Sequence, residues 1–248
     1  MTETALLVLD FDGVICDSIE ECFLMSWIAY HSLYLGRPQD WPPQGVLRDF
    51  AALRPFIRTG EDFVLIQEML ANGESVRDQS GFDEALLRAG KEKRELFRRL
   101  AYEARTGLLE KDRDAWLAMN RLYPHVKDAL LRMRSFPRVA VLSTKKPQFI
   151  VEILRYHGVE LPEDRILESV HEPKLAATEK LRAQSRCDRA YLVEDQVDAI
   201  KGNANPRVEG RLATWGYVRK EWLTPPLAAP LITPEGFLAL VEELLSAV

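Results

Sequence analysis

The first clear element along the chain is an unbroken apolar run over residues 5–9, which stops abruptly at the Asp-Phe-Asp-Gly segment 10–13. Five consecutive apolar residues are typical of a strand that is buried on both faces, as in a parallel sheet. Ser18, with Glu21 three residues later, has the pattern of a capping box. We therefore expect a strand at 5–9 and a helix that begins after Ser18 and continues to about Leu35.

The middle of the chain, residues 46–122, has a different pattern. Its apolar positions recur with the 3.6-residue period of helices, and strand-like runs are scarce. Three prolines over 38–45 predict a loop before it. We expect an all-helical block inserted after the first strand, with its helices separated at Gly60, Gly73, Gly81 and Gly107.

Strands and helices alternate after residue 122. Strands are predicted at 139–142, 191–193 and 212–214, and helices at 124–133, 147–157, 174–184, 197–204 and 234–245. Strands that alternate with helices indicate a parallel sheet with right-handed crossovers. The predicted fold class is therefore α/β, a Rossmann-like parallel sheet core with an inserted all-helical domain.

Composition and charge do not alter the predicted fold, but they argue against several classes of partner. Hydrophobic residues make up 47% of the 248 and charged residues 29%, as in ordinary globular proteins. The 38 acidic and 33 basic side chains leave a net charge of −5, which argues against nucleic acid as a partner. No apolar run approaches the roughly 18 residues of a membrane span, and three cysteines without C-x-x-C spacing are typical of a reducing compartment. We expect a cytoplasmic protein with neither nucleic-acid nor membrane partners.

Four polar features stand out, and three of them directly follow a predicted strand. Two are acidic pairs, one is a pair of hydroxyls and one is a lysine that opens a helix; in chain order they are Asp10 with Asp12, Ser143 with Thr144, Lys174, and Glu194 with Asp195. Open α/β sheets place ligands at the carboxyl ends of their strands. Acid pairs can hold a hard cation or supply a nucleophile and a proton donor, and hydroxyls before a helix can bind an anion. Taken singly, each feature has a structural alternative, a helix cap or an exposed side chain.

In this order the four features resemble the motifs of the haloacid dehalogenase-like (HAD) superfamily. The segment 10–18 resembles the first motif, in the form typical of members with a helical cap inserted after the first strand. Ser143 matches the second motif, Lys174 the third, and Glu194 with Asp195 the fourth. The resemblance covers nearly the whole chain.

The resemblance implies two domains and a reaction. Residues 1–18 and 123–248 would form the α/β catalytic core, and residues 19–122 the helical cap domain. The implied activity is Mg²⁺-dependent hydrolysis of a small phosphorylated metabolite through an aspartyl-phosphate. The acid at position 12 favours phosphate esters, because dehalogenases of the superfamily lack it and need no metal. We expect a monomer or a weak homodimer.

By the same resemblance, Asp10 is the nucleophile, and Asp12 protonates the leaving alcohol and then activates water. Ser143 and Lys174 would bind the phosphoryl oxygens, and Thr144 is a further substrate-binding candidate.

The implied cofactor is Mg²⁺. Its ligands would be the carboxylate of Asp10, the backbone carbonyl of Asp12, and Asp195, joined by Glu194 directly or through water. Asp198, three residues after Asp195, is an open alternative to Glu194.

Two further assignments stay open at the level of sequence. Proline precedes Lys174, whereas the third motif usually has proline after the lysine, so Lys180 on the same predicted helix is an alternative. Arg54 and Arg58 in the helical block are candidates to bind an anionic part of the substrate, with ordinary surface positions as the alternative.

The activity has two alternatives. A sugar phosphomutase would use the same residues but return the phosphoryl group to a second hydroxyl. A catalytically idle HAD-like protein would bind or regulate, but such members typically lose an acid or the lysine, and neither is lost here.

Overall fold

The computed structural model describes residues 4–36, 42, 45–170, 172–224 and 229–247. The chain divides into two compact units, one formed by Met1–Asp17 with Arg121–Val248 and the other by Ser18–Asn120. The helical insertion was expected at 19–122, so the observed boundaries differ by one residue at its start and by two residues at its end. The loop predicted over 38–45 falls largely outside the described residues.

In the unit formed by Ser18–Asn120, every regular element of the described residues is a helix, as predicted. Its helices are α1 (Ile19–Leu35), α2 (Val46–Leu53), α3 (Gly60–Ala71), α4 (Gln79–Lys111) and α5 (Arg113–Ala118). Apolar side chains from α1 to α4 form one buried core that includes Phe50, Phe56, Phe82 and Phe97. Burial of these large rings stabilises the unit.

The expected glycine breaks in this unit are only partly correct. Gly81 and Gly107 lie inside α4 and do not end it, and the interruption comes instead at Gly90, whose φ of +76° is not helical. Gly81 does not interrupt the helix because it lies in the first turn. There its N–H donates a hydrogen bond of 2.9 Å to the carboxylate of Asp78, which caps the helix. A glycine permits a break but does not impose one.

The α/β unit is built on a parallel sheet, which confirms the predicted fold class. The strands of this unit are β1 (Ala5–Leu9), β2 (Cys16–Asp17), β3 (Arg121–Leu122), β4 (Val139–Ser143), β5 (Ile166–Glu168), β6 (Arg189–Glu194), β7 (Val208–Ala213) and β8 (Leu231–Ile232). The short strands β2 and β3 pair with each other and not with this sheet. The sheet order is β5-β4-β1-β6-β7-β8, with every neighbouring pair parallel. The apolar strand β1 therefore lies between β4 and β6, and all five of its residues are buried.

Among the described residues of this unit, four α-helices accompany the strands, and two of them, the second and third, connect one strand of the sheet directly to the next along the chain. They are α6 (Pro124–Arg132), α7 (Pro147–Tyr156), α8 (Lys174–Gln184) and α9 (Pro234–Ser246). Three of them begin with proline, whose fixed φ and missing N–H suit the first helical position. No helix in the described part of the chain is both long enough and apolar enough to cross a membrane.

Short elements account for the other differences from prediction. The helix expected at 197–204 is only a 3-10 turn, Val197–Ala199. Strands β2, β3, β5 and β8 were not predicted, since two or three residues are too few to show a periodic pattern.

A buried ion pair ties α1 to α4 and α5 within the helical unit. Glu21 Oε1 accepts hydrogen bonds from Arg105 Nε at 2.7 Å and from Trp116 Nε1 at 3.3 Å, and both charged side chains are almost fully buried. The capping box predicted for Ser18 and Glu21 is therefore wrong, because Ser18 makes no capping hydrogen bond and the Glu21 carboxylate turns to Arg105.

Arg105→Ala should destabilise the protein by about 3–5 kcal/mol, because it leaves the Glu21 charge buried without its cation. Arg99→Ala is the matched control, since Arg99 pairs with Glu103 on the exposed face of the same helix and its loss should cost less than about 1 kcal/mol. Urea unfolding of both variants gives the comparison. Equal free energies of unfolding for the two variants would show that the Glu21–Arg105 pair does not hold the unit together.

Candidate functional site

The pairing of β1 with β6 brings the acidic ends of both strands together. Asp10 follows β1 directly, and its N–H extends the ladder to the carbonyl of Val193 in β6 at 3.0 Å. Glu194 is the last residue of β6, and Asp195 follows it. One oxygen from each of Asp10, Glu194 and Asp195 lies within 4.8 Å of the other two, and all three residues are buried. The sheet thus assembles three of the four predicted carboxylates at one point.

Lys174 lies between two of these carboxylates. Its Nζ is 2.8 Å from Asp10 Oδ1 and 2.6 Å from Glu194 Oε2. The lysine opens α8, and its side chain is only 11% exposed. Lys180 lies further along the same helix, is largely exposed and pairs with Glu172. The structure therefore places Lys174, and not Lys180, beside Asp10.

The electrostatics of the group show an excess of negative charge. Burial raises the pKa of Glu194 to about 8, and the neighbouring charges of Asp10 and Asp195 add to this effect. Burial opposes the charge on Lys174, but Asp10 and Glu194 together raise its pKa above the ordinary value. One ammonium group thus faces three carboxylates, and its charge does not balance theirs.

The donor set fits a hard divalent cation. Such ions prefer oxygen ligands and commonly take several carboxylates, which Asp10, Glu194 and Asp195 supply within 4.8 Å. The buried cluster of three carboxylates beside one ammonium group is the structural sign of this fit, since a bound cation would supply the positive charge that the group lacks.

Two glycines let the chain pass unusually close to Asp195. A Cβ at Gly13, where φ is +90°, would lie 1.9 Å from Asp195 Oδ2. A Cβ at Gly216 would lie 2.5 Å from Asp195 Cβ. The N–H of Tyr217 then donates a hydrogen bond of 2.9 Å to Asp195 Oδ2 and fixes that carboxylate. Both positions therefore require glycine, because a Cβ at either one would collide with Asp195, whatever role the glycine also has in a turn.

Two side chains in the segment after β7 also donate hydrogen bonds to residues that follow Asp12 in the chain. Trp215 Nε1 donates to the carbonyl of Val14 at 3.0 Å, and the Tyr217 hydroxyl donates to Asp17 Oδ1 at 2.7 Å. The sequence alone did not predict these contacts. The Trp215-Gly216-Tyr217 stretch directly after the predicted strand 212–214 was the available signal.

A second lysine joins the site from β4. Ser143 ends this strand with its side chain buried, and its Oγ accepts a hydrogen bond of 3.3 Å from the Lys145 N–H. Lys145 Nζ donates to Asp12 Oδ1 at 2.8 Å. Thr144, between Ser143 and Lys145, is half-buried. Lys145 was not predicted, although it stands two residues after a recognised hydroxyl.

The remaining candidates are not part of this group. Asp198 is exposed on the 3-10 turn, where its N–H donates to Gln196 Oε1 at 3.3 Å. Arg54 and Arg58 belong to the helical unit. Arg54 is buried with its guanidinium 5.2 Å from the centre of the Phe63 ring, and Arg58 forms an ion pair with Asp83 at 2.6 Å.

Comparison with known proteins gives a family match and a set of structural likenesses. The model of the haloacid dehalogenase-like hydrolase family matches residues 4–205, a span that contains every residue of the carboxylate group and both lysines. Among curated proteins, no match is found.

Solved structures resemble the chain over nearly its full length. A predicted phosphoglycolate phosphatase from Haemophilus somnus 129pt is 17% identical, with a TM-score of 0.62 over 97% of this chain and 99% of that one. A predicted phosphatase from Clostridium acetobutylicum is 14% identical, with a TM-score of 0.57 over 99% and 100%. Protein Tyrosine Kinase A from Mycobacterium tuberculosis is 18% identical, with a TM-score of 0.52 over 97% and 98%. At these identities the likeness shows a shared fold alone.

Gly216→Ala should weaken divalent-cation binding, because the new Cβ would lie 2.5 Å from both Asp195 Cβ and the Gly13 carbonyl oxygen. Mg²⁺ at 100 times its Kd should stabilise the wild-type protein by about 2.7 kcal/mol, seen as a rise in melting temperature. We expect less than half of that rise in the variant.

Gly236→Ala is the control, because a Cβ at Gly236 would make only ordinary contacts, the nearest at 3.5 Å. It should keep the full response to Mg²⁺. If Gly216→Ala responds to Mg²⁺ as strongly as Gly236→Ala does, the close packing around Asp195 does not matter for the cation.

Proposed function

The chain belongs to the haloacid dehalogenase-like hydrolase family, and we propose that it is a Mg²⁺-dependent phosphatase that forms a phosphoaspartate on Asp10. The observation that supports this most is the buried group in which Lys174 bridges Asp10 and Glu194 beside Asp195. A carboxylate, a fixed cation and a hard-metal donor set at one point are what phosphoryl transfer to an aspartate requires.

Residues at the carboxyl end of β4 and at the start of α8 bind the phosphoryl group in this proposal. The Lys174 ammonium group, 2.8 Å from Asp10, offers charge-assisted hydrogen bonds to phosphoryl oxygens next to the nucleophile. Ser143 ends β4, the strand that pairs with β1, and with Thr144 it supplies hydroxyl donors before the start of α7. Together they orient the phosphorus toward Asp10.

The reaction takes place in two displacements. An Asp10 carboxylate oxygen bonds to phosphorus while the bond from phosphorus to the alcohol oxygen breaks. The electron pair stays on that oxygen, which takes a proton from Asp12. Water then attacks phosphorus and gives a proton to Asp12, and the bond from phosphorus to Asp10 breaks. The products are the alcohol, inorganic phosphate and the original carboxylate.

Mg²⁺ would be held by Asp10, Glu194 and Asp195, together with the backbone carbonyl of Asp12. When bound, it neutralises charge between the attacking carboxylate and the phosphoryl oxygens. Gly13 and Gly216 leave room for the Asp195 side chain, and the Tyr217 N–H fixes its carboxylate through a hydrogen bond.

The substrate is a small phosphorylated metabolite, with the helical unit Ser18–Asn120 acting as a cap that selects it. Arg54 and Arg58 are the proposed contacts to an anionic part of the substrate. One structural neighbour is described as a predicted phosphoglycolate phosphatase, so phosphoglycolate belongs in the first substrate panel. We further propose that the protein is cytoplasmic, acts as a monomer or weak homodimer, and binds neither nucleic acid nor membranes.

Asp10→Asn should abolish turnover, because an amide is a far poorer nucleophile than a carboxylate, and Asp12→Asn should slow it by about 10²–10⁴. Chelation of the metal should stop the wild-type enzyme and added Mg²⁺ should restore it. Asp198→Asn is the matched control, an exposed acid outside the carboxylate group, and it should keep wild-type kcat/KM.

Phosphate release over the substrate panel is the readout for these variants. Substantial turnover by Asp10→Asn, or full wild-type activity in excess chelator, would sink the proposal.

Release of inorganic phosphate should equal substrate consumed, because the proposal makes water the final acceptor. Sugar phosphates with and without a bisphosphate activator provide the comparison, measured as free phosphate and as remaining sugar phosphate. Isomerised sugar phosphate with almost no free phosphate would instead indicate a phosphomutase that uses the same residues.

A further inference from the structure

The ion pair between Lys145 and Asp12 has no assigned role in the two displacements. Lys145 Nζ donates to Asp12 Oδ1 at 2.8 Å, with the lysine side chain 1% exposed and the aspartate 15% exposed. Few lysines are buried to this degree in proteins unless they are paired. The chain therefore places a desolvated cation against the side chain that handles the proton.

Several contacts hold Lys145 in this position. The Phe11 ring centre lies 5.4 Å from its Nζ, and Ser143 Oγ accepts from its N–H at 3.3 Å. The register between β1 and β4, which pairs Leu9 with Val141, sets the turn that carries Lys145 beside the loop that carries Asp12. The lysine is thus built into the frame of the site.

Asp12 needs such a contact because of its surroundings. It lies between the end of β1 and Gly13, where the backbone turns with a φ of +90°, and it is more exposed than Asp10. A short aspartate side chain on a turn has several rotamers available to it. A charge-assisted hydrogen bond to one oxygen fixes the direction of the whole planar carboxyl group.

We propose that Lys145 is a positioning residue, which orients the Asp12 carboxyl group for proton transfer to the leaving alcohol oxygen. This inference rests on the proposed function, and specifically on the role of Asp12 as general acid. During the first displacement the bond from phosphorus to the alcohol breaks, its electron pair goes to oxygen, and the proton passes from Asp12 to that oxygen. Lys145 itself neither gains nor loses a proton.

The proposal has a signature that a merely structural role would not produce. A phenolate such as p-nitrophenolate leaves without help from an acid, whereas an alkoxide needs a proton as it departs. Loss of Lys145 should therefore impair alkyl phosphates more than p-nitrophenyl phosphate. A general loss of folded enzyme, or of phosphate binding, would impair both substrates equally.

The experiment compares kcat/KM for p-nitrophenyl phosphate and for an alkyl phosphate that the wild type hydrolyses, with saturating Mg²⁺. The quantity kcat/KM reports the steps up to departure of the alcohol, which is where Asp12 acts as acid. Lys145→Met should lower it for the alkyl phosphate by about 10–10² more than for the aryl phosphate, as expected for a misplaced catalytic group. Lys146→Met, the neighbouring lysine, is the matched control and should leave the ratio of the two values unchanged.

Asp12→Asn completes a double-mutant cycle. Alone it should show the same selective loss, and more strongly, and adding Lys145→Met to it should change the ratio no further. If Lys145→Met does not fold by circular dichroism, Lys145→Gln removes the charge with a polar side chain and should show the same selective loss.

The outcomes separate this inference from the proposed function. Equal losses on both substrates in Lys145→Met, alongside a selective loss in Asp12→Asn, would overturn the role of Lys145 alone. An Asp12→Asn variant that loses equally on both substrates would overturn the acid role of Asp12, and with it this inference, but would leave Asp10 as the proposed nucleophile.

Discussion

The site depends on the parallel pairing of β1 with β6, which forces three buried carboxylates to within 4.8 Å of one another. Like charges at this distance repel strongly where water is scarce. The neighbouring structure compensates for this repulsion, with Lys174 between Asp10 and Glu194 and a backbone N–H on Asp195. Such a concentration of charge costs stability, and proteins commonly accept that cost where function needs a preorganised site.

Each of the two lysines serves a different carboxylate, and each comes from a different element. Lys174 opens α8 and reaches Asp10 at the end of β1, whereas Lys145 follows β4 and reaches Asp12 in the loop beyond. The proposed nucleophile and the proposed proton donor are therefore paired with separate lysines, so that each can be perturbed independently of the other. Every one of these contacts lies within the α/β unit.

The sequence was sufficient for the parts of the site that stand directly at strand ends. Asp10, Ser143, Glu194 and Asp195 each end or follow an apolar run, so the sheet alone brings them together. The same sequence could not show that Lys145 turns inward, because that depends on the turn between β4 and α7. Nor could it show that Glu21 pairs with Arg105, which lies 84 positions away, and the local capping pattern at Ser18 misled for that reason. Gly216 likewise acquires its meaning only from contact with Asp195.

The central claim is that Asp10 carries the phosphoryl group between the two displacements. Borohydride reduction of the enzyme during turnover with Mg²⁺ converts a phosphoaspartate to homoserine, and mass spectrometry of the digested protein locates the modified residue. The account predicts homoserine at position 10 in the wild type and none there in Asp10→Asn. Homoserine at a different acidic residue, or none at all in enzyme reduced during the first turnover, would contradict it.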